Sequence, residues 1–468
     1  MRRHLAVVNL VLVTALIVAI GGAAPAATAL PPTLDVDVLV IGGSPGGVAA
    51  AVGAARSGAS VVLAEDDRQL GGIITSAWLT TFDMNMSPDG EHLTRGVFLE
   101  VYRSLGVSFD PDEAARAFGR AVVHEPGIRT MLDSSLVRLI MDGRRIAGAE
   151  FYDRHWRRLT EVRAKQVIDA TDDGDVAAAA GAPWVLGQAA YRADERLMQA
   201  ATLIFRVGGV DWQAVAADLK QHAEVAGLQA WGTNGRAGWG YADEVARYEP
   251  SDPNILLYPL NLAQQRDGSV LINALNITDT NGLDSASTAT GMRKAVAELP
   301  RVIAFLRQTI PGFEQAYLLD HAPSLYIRET RHVEGVYTLQ TEDILTQQIF
   351  DDRIAVASYP IDIHAYYTGW TNPHRPDARV YTIPFRAIVP NGVDNLLVAS
   401  RAFSATSEAH GSARVIPTTM ALGQAAGVAA ALCARRYCTP REVAGDWALL
   451  FEVQRALIGQ GAYLGSKP

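Results

Sequence analysis

The stretch DVDVLVIGGSPGGVAAAVGAARSGASVVLAE, Asp35 to Glu65, decides the fold. Val36 to Ile41 is a short apolar run rich in β-branched residues, which predicts a buried strand. Gly42, Gly43, Ser44, Pro45, Gly46 and Gly47 follow at once, then an alanine-rich helix over Val48 to Arg56 and a second strand over Ala59 to Ala64. This is a βαβ unit with a glycine-rich first turn. The helix N-terminus offers free N–H groups and the positive end of a dipole, which suits a pyrophosphate. Glu65 closes the second strand 23 residues after Gly42, where a carboxylate can accept hydrogen bonds from a ribose diol. Gly42 and Gly47 hold the first and third positions of a G-x-G-x-x-G fingerprint, and Ser44 holds the second. Its Cβ narrows the approach to phosphate, while its hydroxyl is available as a donor. The competing reading is a helix–strand packing turn with no ligand; the complete strand, turn, helix, strand and terminal acid speak against it.

The chain of 468 residues is 49% hydrophobic, enough for two or three cores. Its net charge is −9 and it has no basic block, which argues against nucleic acid and anionic membrane surfaces as partners. Arg2, Arg3 and His4 precede an apolar run of 16 residues, Leu5 to Ile20, and Ala27-Thr28-Ala29 resembles a cleavage site. The run is shorter than the ~20 residues a spanning helix needs. Residues 1–29 are therefore expected to be a signal peptide. The mature chain is expected to be exported to a periplasmic or extracellular location, with no stable membrane insertion. The Arg2-Arg3 pair partly resembles a twin-arginine signal, a route that carries folded, cofactor-loaded proteins.

Further along, Gly71 and Gly72 permit close approach to a flat ring. Gly90 to Gly106 reads as a helix, Val122 to Leu139 as a strand followed by a helix, and Arg145–Tyr152 with Thr160–Val167 as a hairpin. Val167 to Asp175 is a strand running into an acidic turn at Ala170-Thr171. Asp172, Asp173 and Asp175 lack a further ligand at calcium-loop spacing, so no metal is expected. Trp231 to Pro259 reads as irregular, and Trp231, Trp239, Tyr241, Tyr366, Tyr367 and Trp370 are candidates to stack on a substrate ring or to anchor loops. Ala286 to Gln308 reads as a long helix. Arg328, Glu329, Arg331 and His332 read as a pocket wall or a surface ion-pair cluster. Asn395 to Ser400 reads as a buried strand, Ser400 to Pro417 as a loop, Thr418 to Ala434 as a small-residue helix and Val443 to Leu457 as a closing amphipathic helix. The only two cysteines, Cys433 and Cys438, are expected to bridge across the end of that small-residue helix near Arg436; the alternative is two unpaired thiols.

Together, VLVIGGSPGGVAAAVGAARSG, VIDATDDGDVAAAAGAP, YIRETRHVEGVYTLQTEDIL, YPIDIH and the segment from YTIPFRAIVPNG to GQAAGVAAAL resemble the FAD-dependent oxidoreductases of the glutathione-reductase-like superfamily. The resemblance implies an α/β fold: a Rossmann-like FAD-binding domain with a central parallel sheet, split over 30–186 and 387–468, around an inserted α+β substrate or cap domain, 187–386. It implies FAD, held non-covalently in most members. Carried over by position, Gly42, Gly43, Ser44, Pro45, Gly46, Gly47 and Glu65 match pyrophosphate and ribose contacts. Gly71 and Gly72 match the turn near the isoalloxazine, Ala170 and Thr171 a second cofactor contact, and the His410–Pro417 loop, with Ser412, the pyrimidine end. Asp172 stands where a glycine is usual, and Ser407 where a histidine is usual.

The reaction expected is hydride transfer from a small polyol, sugar-like or ring-containing substrate to flavin, with electrons leaving to oxygen, a quinone or a protein carrier. A base must take the substrate's proton. His410, Arg414, His364 and Arg328 are the candidates for the catalytic groups. An NAD-dependent dehydrogenase and a non-catalytic carbohydrate-binding protein are the alternatives.

Overall fold

A computed structural model describes residues 32–190, 198–226, 232–373, 377 and 379–465. The expected signal peptide and Trp231 lie outside the described residues. The main sheet contains β1 (Thr33–Ile41), β2 (Val61–Ala64), β3 (Ile128–Met131), β4 (Ser134–Asp142), β5 (Arg145–Asp153) and β6 (Arg158–Asp169), in the order β3-β2-β1-β6-β5-β4. β1 runs parallel to both β2 and β6, so it is central, and Val38, Leu39, Val40 and Ile41 are buried on both faces as a continuous apolar run requires. On the edge away from β1, β6 is long enough for two partners. Its first half pairs with β5 as the expected hairpin, and its last residues pair in parallel with Leu396–Val398, which returns from far down the chain.

Two helices of small residues are packed together beside this sheet: Pro45–Arg56, straight after β1, and Ile416–Arg436. Glycines set the distance between them. A Cβ on Gly423 would sit 2.0 Å from the Gly46 carbonyl oxygen, and one on Gly427 would sit 2.0 Å from that of Ala50. Ile416–Arg436 is long and apolar enough to cross a membrane, but 94% of its most apolar window is buried inside the protein, so here it is a core helix.

The second sheet is antiparallel and six-stranded: Tyr317–His321, Ala201–Gly208, Val270–Ile277, Ile255–Gln264, Ala237–Gly240 and Gly232–Asn234, in that spatial order. On Ala201–Gly208 the alternation is clear. Ala201, Leu203, Phe205 and Val207 join a separate core with residues of helices Trp212–Ala226 and Ser285–Thr309, whereas Ile204 belongs to the main core. The sheet's second face thus turns toward the first sheet's domain and roofs the site between them.

Several expected elements differ. Val122 to Leu139 is not a strand then a helix: a helix over Pro111–Val123 ends there, and β3 and β4 follow. The helix starts early because Asp110 and Glu113 form a capping box with Pro111 at the first position. The Gly90–Gly106 helix is confined to Val97–Leu105. Trp231 to Pro259 is not irregular throughout, since Gly232–Asn234, Ala237–Gly240 and Ile255–Gln264 enter it as strands. The Ser400–Pro417 loop contains a helix, Ser407–Ala413, capped by Thr406, whose hydroxyl accepts from the Ala409 N–H at 3.2 Å. The closing helix is two, Pro440–Gly445 and Trp447–Gly459, the second capped by Asp446. Ile416–Arg436 does end at Arg436, with Tyr437 left-handed at φ 54° and the Cys438 N–H bonded to the Cys433 carbonyl at 3.1 Å. The turn brings the two sulfurs together as expected, Cys433 and Cys438 being hydrogen-bonded to each other, but they stand as free thiols and not as a disulfide.

Candidate active site

The C-terminal ends of β1, β2 and β6 are stitched by backbone bonds: the Gly42 N–H donates to Ala64 O and the Ala170 N–H to Ile41 O, both at 2.8 Å. Gly42 sits at φ +107°, and a Cβ there would lie 2.4 Å from the Ala170 carbonyl, so only glycine lets the chain turn here. Ser44 caps the first helix, accepting from the Gly47 N–H at 3.2 Å. Its own proton goes to Ala170 O at 2.8 Å, which corrects the expectation that the hydroxyl is free for a phosphate. The Glu65 carboxylate accepts from the N–H groups of Gly43 and Asp67, and burial pushes it up to about 7.

Gly42, Ser44, Glu65, Gly72, Ser135 and Thr171 line a cavity of about 440 Å³. Ser44 and Asp172 are shared with a narrower cavity beyond it, lined by Pro45, Gly46, Arg401, Ile416 and Thr419. There the starts of both small-residue helices converge. Arg401 is buried; it pairs with Asp173 at 2.6 Å and stands 3.5 Å from Asp172, while its Nε has no hydrogen-bond partner. The N–H groups at two helix N-termini and a buried guanidinium with a spare donor form a donor set that fits the diphosphate and pyrimidine end of FAD. Glu65 at the far end fits its ribose.

The path continues into a small chamber of about 70 Å³, which shares Tyr326, Arg328 and Arg414 with the narrow cavity. Arg414 donates to the Tyr326 hydroxyl at 2.8 Å and to the Asp362 carboxylate at 2.9 Å. Arg328 donates to Ala200 O at 2.9 Å and Thr202 Oγ1 at 2.6 Å, and its guanidinium carbon lies 4.4 Å from the centre of the Tyr326 ring. Both guanidiniums are buried, and the Nε of each has no hydrogen-bond partner. Burial, reinforced by the Arg414 charge, pulls Arg328 down to about 10. Burial alone would raise Asp362, but the His364 ring and the two guanidiniums outweigh it and hold the carboxyl well below the usual range.

His364 stacks on Tyr258 with ring centres 4.8 Å apart. Its Nδ1 lies 3.0 Å from Asn276 Oδ1. Asn276 Nδ2 donates to Ala274 O, so Oδ1 is the acceptor and the His364 proton is assigned to Nδ1. Nε2 lies 3.5 Å from Asp362 Oδ2. Burial and then the Arg328 charge push His364 down to about 4, so it is neutral in ordinary buffers. Asp83, hydrogen-bonded to Tyr359, faces the same chamber; burial, then the Asp362 charge, raises it to about 6.

Among the predicted catalytic residues, Arg414, Arg328 and His364 therefore share one wall. His410 does not reach it. It is buried behind the wall in edge contact with His332, ring centres 4.7 Å apart. His332 Nε2 lies 2.8 Å from Glu329, which also accepts from Ser407 and the Gln199 N–H. Glu329 and His332 are thus in a buried network, and Arg331 pairs with Asp175, so these three are neither pocket wall nor one surface cluster. Ser412 faces away from the cofactor path too, bonded to the Tyr381 hydroxyl and Tyr359 O. Gly71 supports the path from behind through its N–H to Gly43 O at 2.8 Å. Of the candidate ring-stacking aromatics, Trp239 lines a cavity, Tyr241 and Tyr366 are core residues, Trp370 packs edge-on to Tyr366, and Tyr367 is exposed. Asp83, Tyr326, Tyr359, Asp362 and Arg401 were not singled out in the sequence. The one signal available was that Asp362 and His364 fall together in YPIDIH.

The glycine cradle, the acid after the second strand and the late returning strand define a flavin-dinucleotide fold. The sequence profile of the FAD dependent oxidoreductase family matches residues 37–457, and the chain belongs to that family. It is an enzyme family whose cofactor is FAD. No curated protein matches the chain. Among solved structures, a p-nitrophenol 4-monooxygenase from Pseudomonas putida is similar at 12% identity and a TM-score of 0.45, over 93% of this chain and 91% of that one. A geranylgeranyl bacteriochlorophyll reductase-like protein from Thermoplasma acidophilum is similar at 12% identity and 0.43, over 93% and 89%. A flavin-dependent brominase is similar at 13% identity and 0.42, over 91% and 85%.

Proposed function

We propose that this oxidoreductase takes a hydride from a small organic substrate whose polar part is seated between the second sheet and the start of helix Ile416–Arg436. Bound FAD supplies the hydride acceptor. The observation that carries the reading is His364 Nε2 at 3.5 Å from the ionised Asp362, on the same wall as Arg328 and Arg414. His364 accepts the proton that an alcohol or amine must lose as its hydride departs, and Asp362 pairs with the imidazolium so formed. Arg328 and Arg414 hold the substrate's oxygen groups by their spare Nε donors, or balance negative charge that develops on the flavin. Asn261, Asn273, Thr80 and Thr81 complete a polar lining suited to hydroxyl or carbonyl groups. Electrons then pass to oxygen, a quinone or a protein carrier. We further propose that residues 187–386 form the substrate unit, and that the chain acts outside the cytoplasm after cleavage behind Ala29. Anaerobic addition of candidate donors to purified holoprotein tests the reaction: a donor should bleach the flavin in wild type, and His364→Gln should slow bleaching by ~10²–10⁴-fold. An unchanged rate in that variant would refute the assignment of the base.

A further inference from the structure

The small chamber is not closed. Thr81, Asp83, Asn261, Tyr359 and Asp362 also line a second chamber of about 570 Å³, forming a polar waist between the two. The outer chamber differs in chemistry: Phe82, Met84, Met86, Tyr102, Trp239 and Ile361 contribute to its wall. Its size falls within the ~300–1,000 Å³ of ordinary ligand pockets, whereas the inner chamber holds only a few heavy atoms. Trp239 is half-buried on the strand Ala237–Gly240, and its ring lies over Gly232, where a Cβ would come within 2.3 Å of it. That contact fixes the indole without filling the chamber. Thioether sulfurs beside aromatic rings give an adaptable apolar surface. In the inner chamber, two buried guanidiniums face two carboxylates, Asp362, which is ionised, and Asp83, which is neutral below about pH 6, and each guanidinium keeps an unpartnered Nε donor.

We propose that the substrate is a two-part molecule, with a small anionic head such as a carboxylate held between Arg328 and Arg414 and a flat apolar body in the outer chamber against Trp239, Met84 and Met86. The reasons are physical. With Asp83 neutral, below about pH 6, the two guanidiniums outnumber the one ionised carboxylate, and the chamber favours an anion over a neutral hydroxyl, because burial strengthens the attraction and each spare N–H gains a charge-assisted bond. A molecule small enough for the inner chamber alone would leave the apolar wall of the outer one wet, and a purely apolar molecule would leave the guanidinium donors unmet. The susceptible carbon then lies at the waist, within reach of His364. The inference rests on the reaction proposed above but is tested separately from it.

The holoprotein, with FAD occupancy first read from its absorbance, is titrated by calorimetry, at a pH just below the value of about 6 at which Asp83 ionises, with 3-phenylpropanoate, 3-phenylpropan-1-ol and acetate. Binding needs no turnover. The aryl acid should bind at least roughly tenfold more tightly than the alcohol or acetate. Trp239→Ala should weaken the aryl acid at least roughly fivefold while leaving acetate unchanged. Arg328→Gln should erase the preference of acid over alcohol, and the comparison of the three probes on wild type stands even where that variant fails to fold. Acetate equal to the aryl acid would overturn the apolar body, alcohol equal to the acid would overturn the anionic head, and no binding of any probe to fully loaded protein would overturn both. Tight aryl-acid binding in a protein whose flavin no donor reduces would defeat the hydride-transfer reading and sustain this one.

Discussion

Adding a single methyl group at Gly423 tests whether backbone contact between two helices holds the cofactor cradle. In helix Ile416–Arg436 a Cβ at this position would lie 2.0 Å from the carbonyl oxygen of Gly46, where ordinary contact begins near 3.4 Å. The helices must therefore part by more than about 1 Å, since both atoms are close to the backbone and no rotamer relieves the clash. Overpacking typically costs ~1–3 kcal/mol where side chains can adjust. Here they cannot, and a gap of that size also forfeits part of the dispersion along the whole helix pair. A loss of ~3 kcal/mol or more is expected for Gly423→Ala, read from urea unfolding midpoints at constant slope. Because Gly46 lies in the cavity wall at the first helix N-terminus, FAD occupancy after gel filtration should fall as well. Gly119→Ala is the internal control. Gly119 lies in helix Pro111–Val123, and a Cβ there meets nothing within 4 Å, so the same change should stabilise by ~0.5–1 kcal/mol through helix propensity. A Gly423→Ala protein within 1 kcal/mol of wild type and fully loaded with FAD would refute the packing argument.

Four further outcomes are expected. Asp172→Asn should tighten FAD binding by roughly tenfold, because it removes a negative charge beside the diphosphate path and leaves Arg401 paired with Asp173 alone; weaker binding in an FAD titration would reject this. His410→Ala should lower the melting temperature while leaving flavin reduction within about threefold of wild type, since His410 sits behind the wall; a drop comparable to His364→Gln would return it to the chemistry. Asp83 is raised to about 6, so it is neutral below that pH and negative above it. Affinity for an anionic ligand should therefore fall, by roughly tenfold, as pH rises through about 6, and Asp83→Asn should flatten that profile; an unchanged slope would exclude Asp83 as its source. Ellman titration of the denatured, unreduced protein should find two thiols, Cys433 and Cys438, and none would show that the pair oxidises in solution.

The local chemistry of the first dinucleotide turn was readable from Asp35–Glu65 alone. An apolar β-branched run, glycines at fixed offsets, alanines on a helix and a terminal acid each constrain the backbone within a few residues, so they act before any distant contact forms. The same holds for the small-residue helix at Ile416–Arg436. What the sequence could not supply is which distant side chains meet. Arg328 and Arg414 meet Asp362 and His364 only because the second sheet folds over the first domain and the returning helix starts at the sheet's end. Ser44 was legible as a fingerprint residue, but the destination of its proton depends on Ala170, which tertiary pairing of β1 with β6 brings within reach. His410 was misplaced for a related reason. The residues before Pro417 were read as a loop, whereas Thr406 caps a helix there, in which His410 packs against His332 while Arg414, at the helix's C-cap, reaches Asp362. Short-range sterics and capping are written in neighbouring letters of the sequence; the facing of a site is decided by which surfaces the chain must bury against each other.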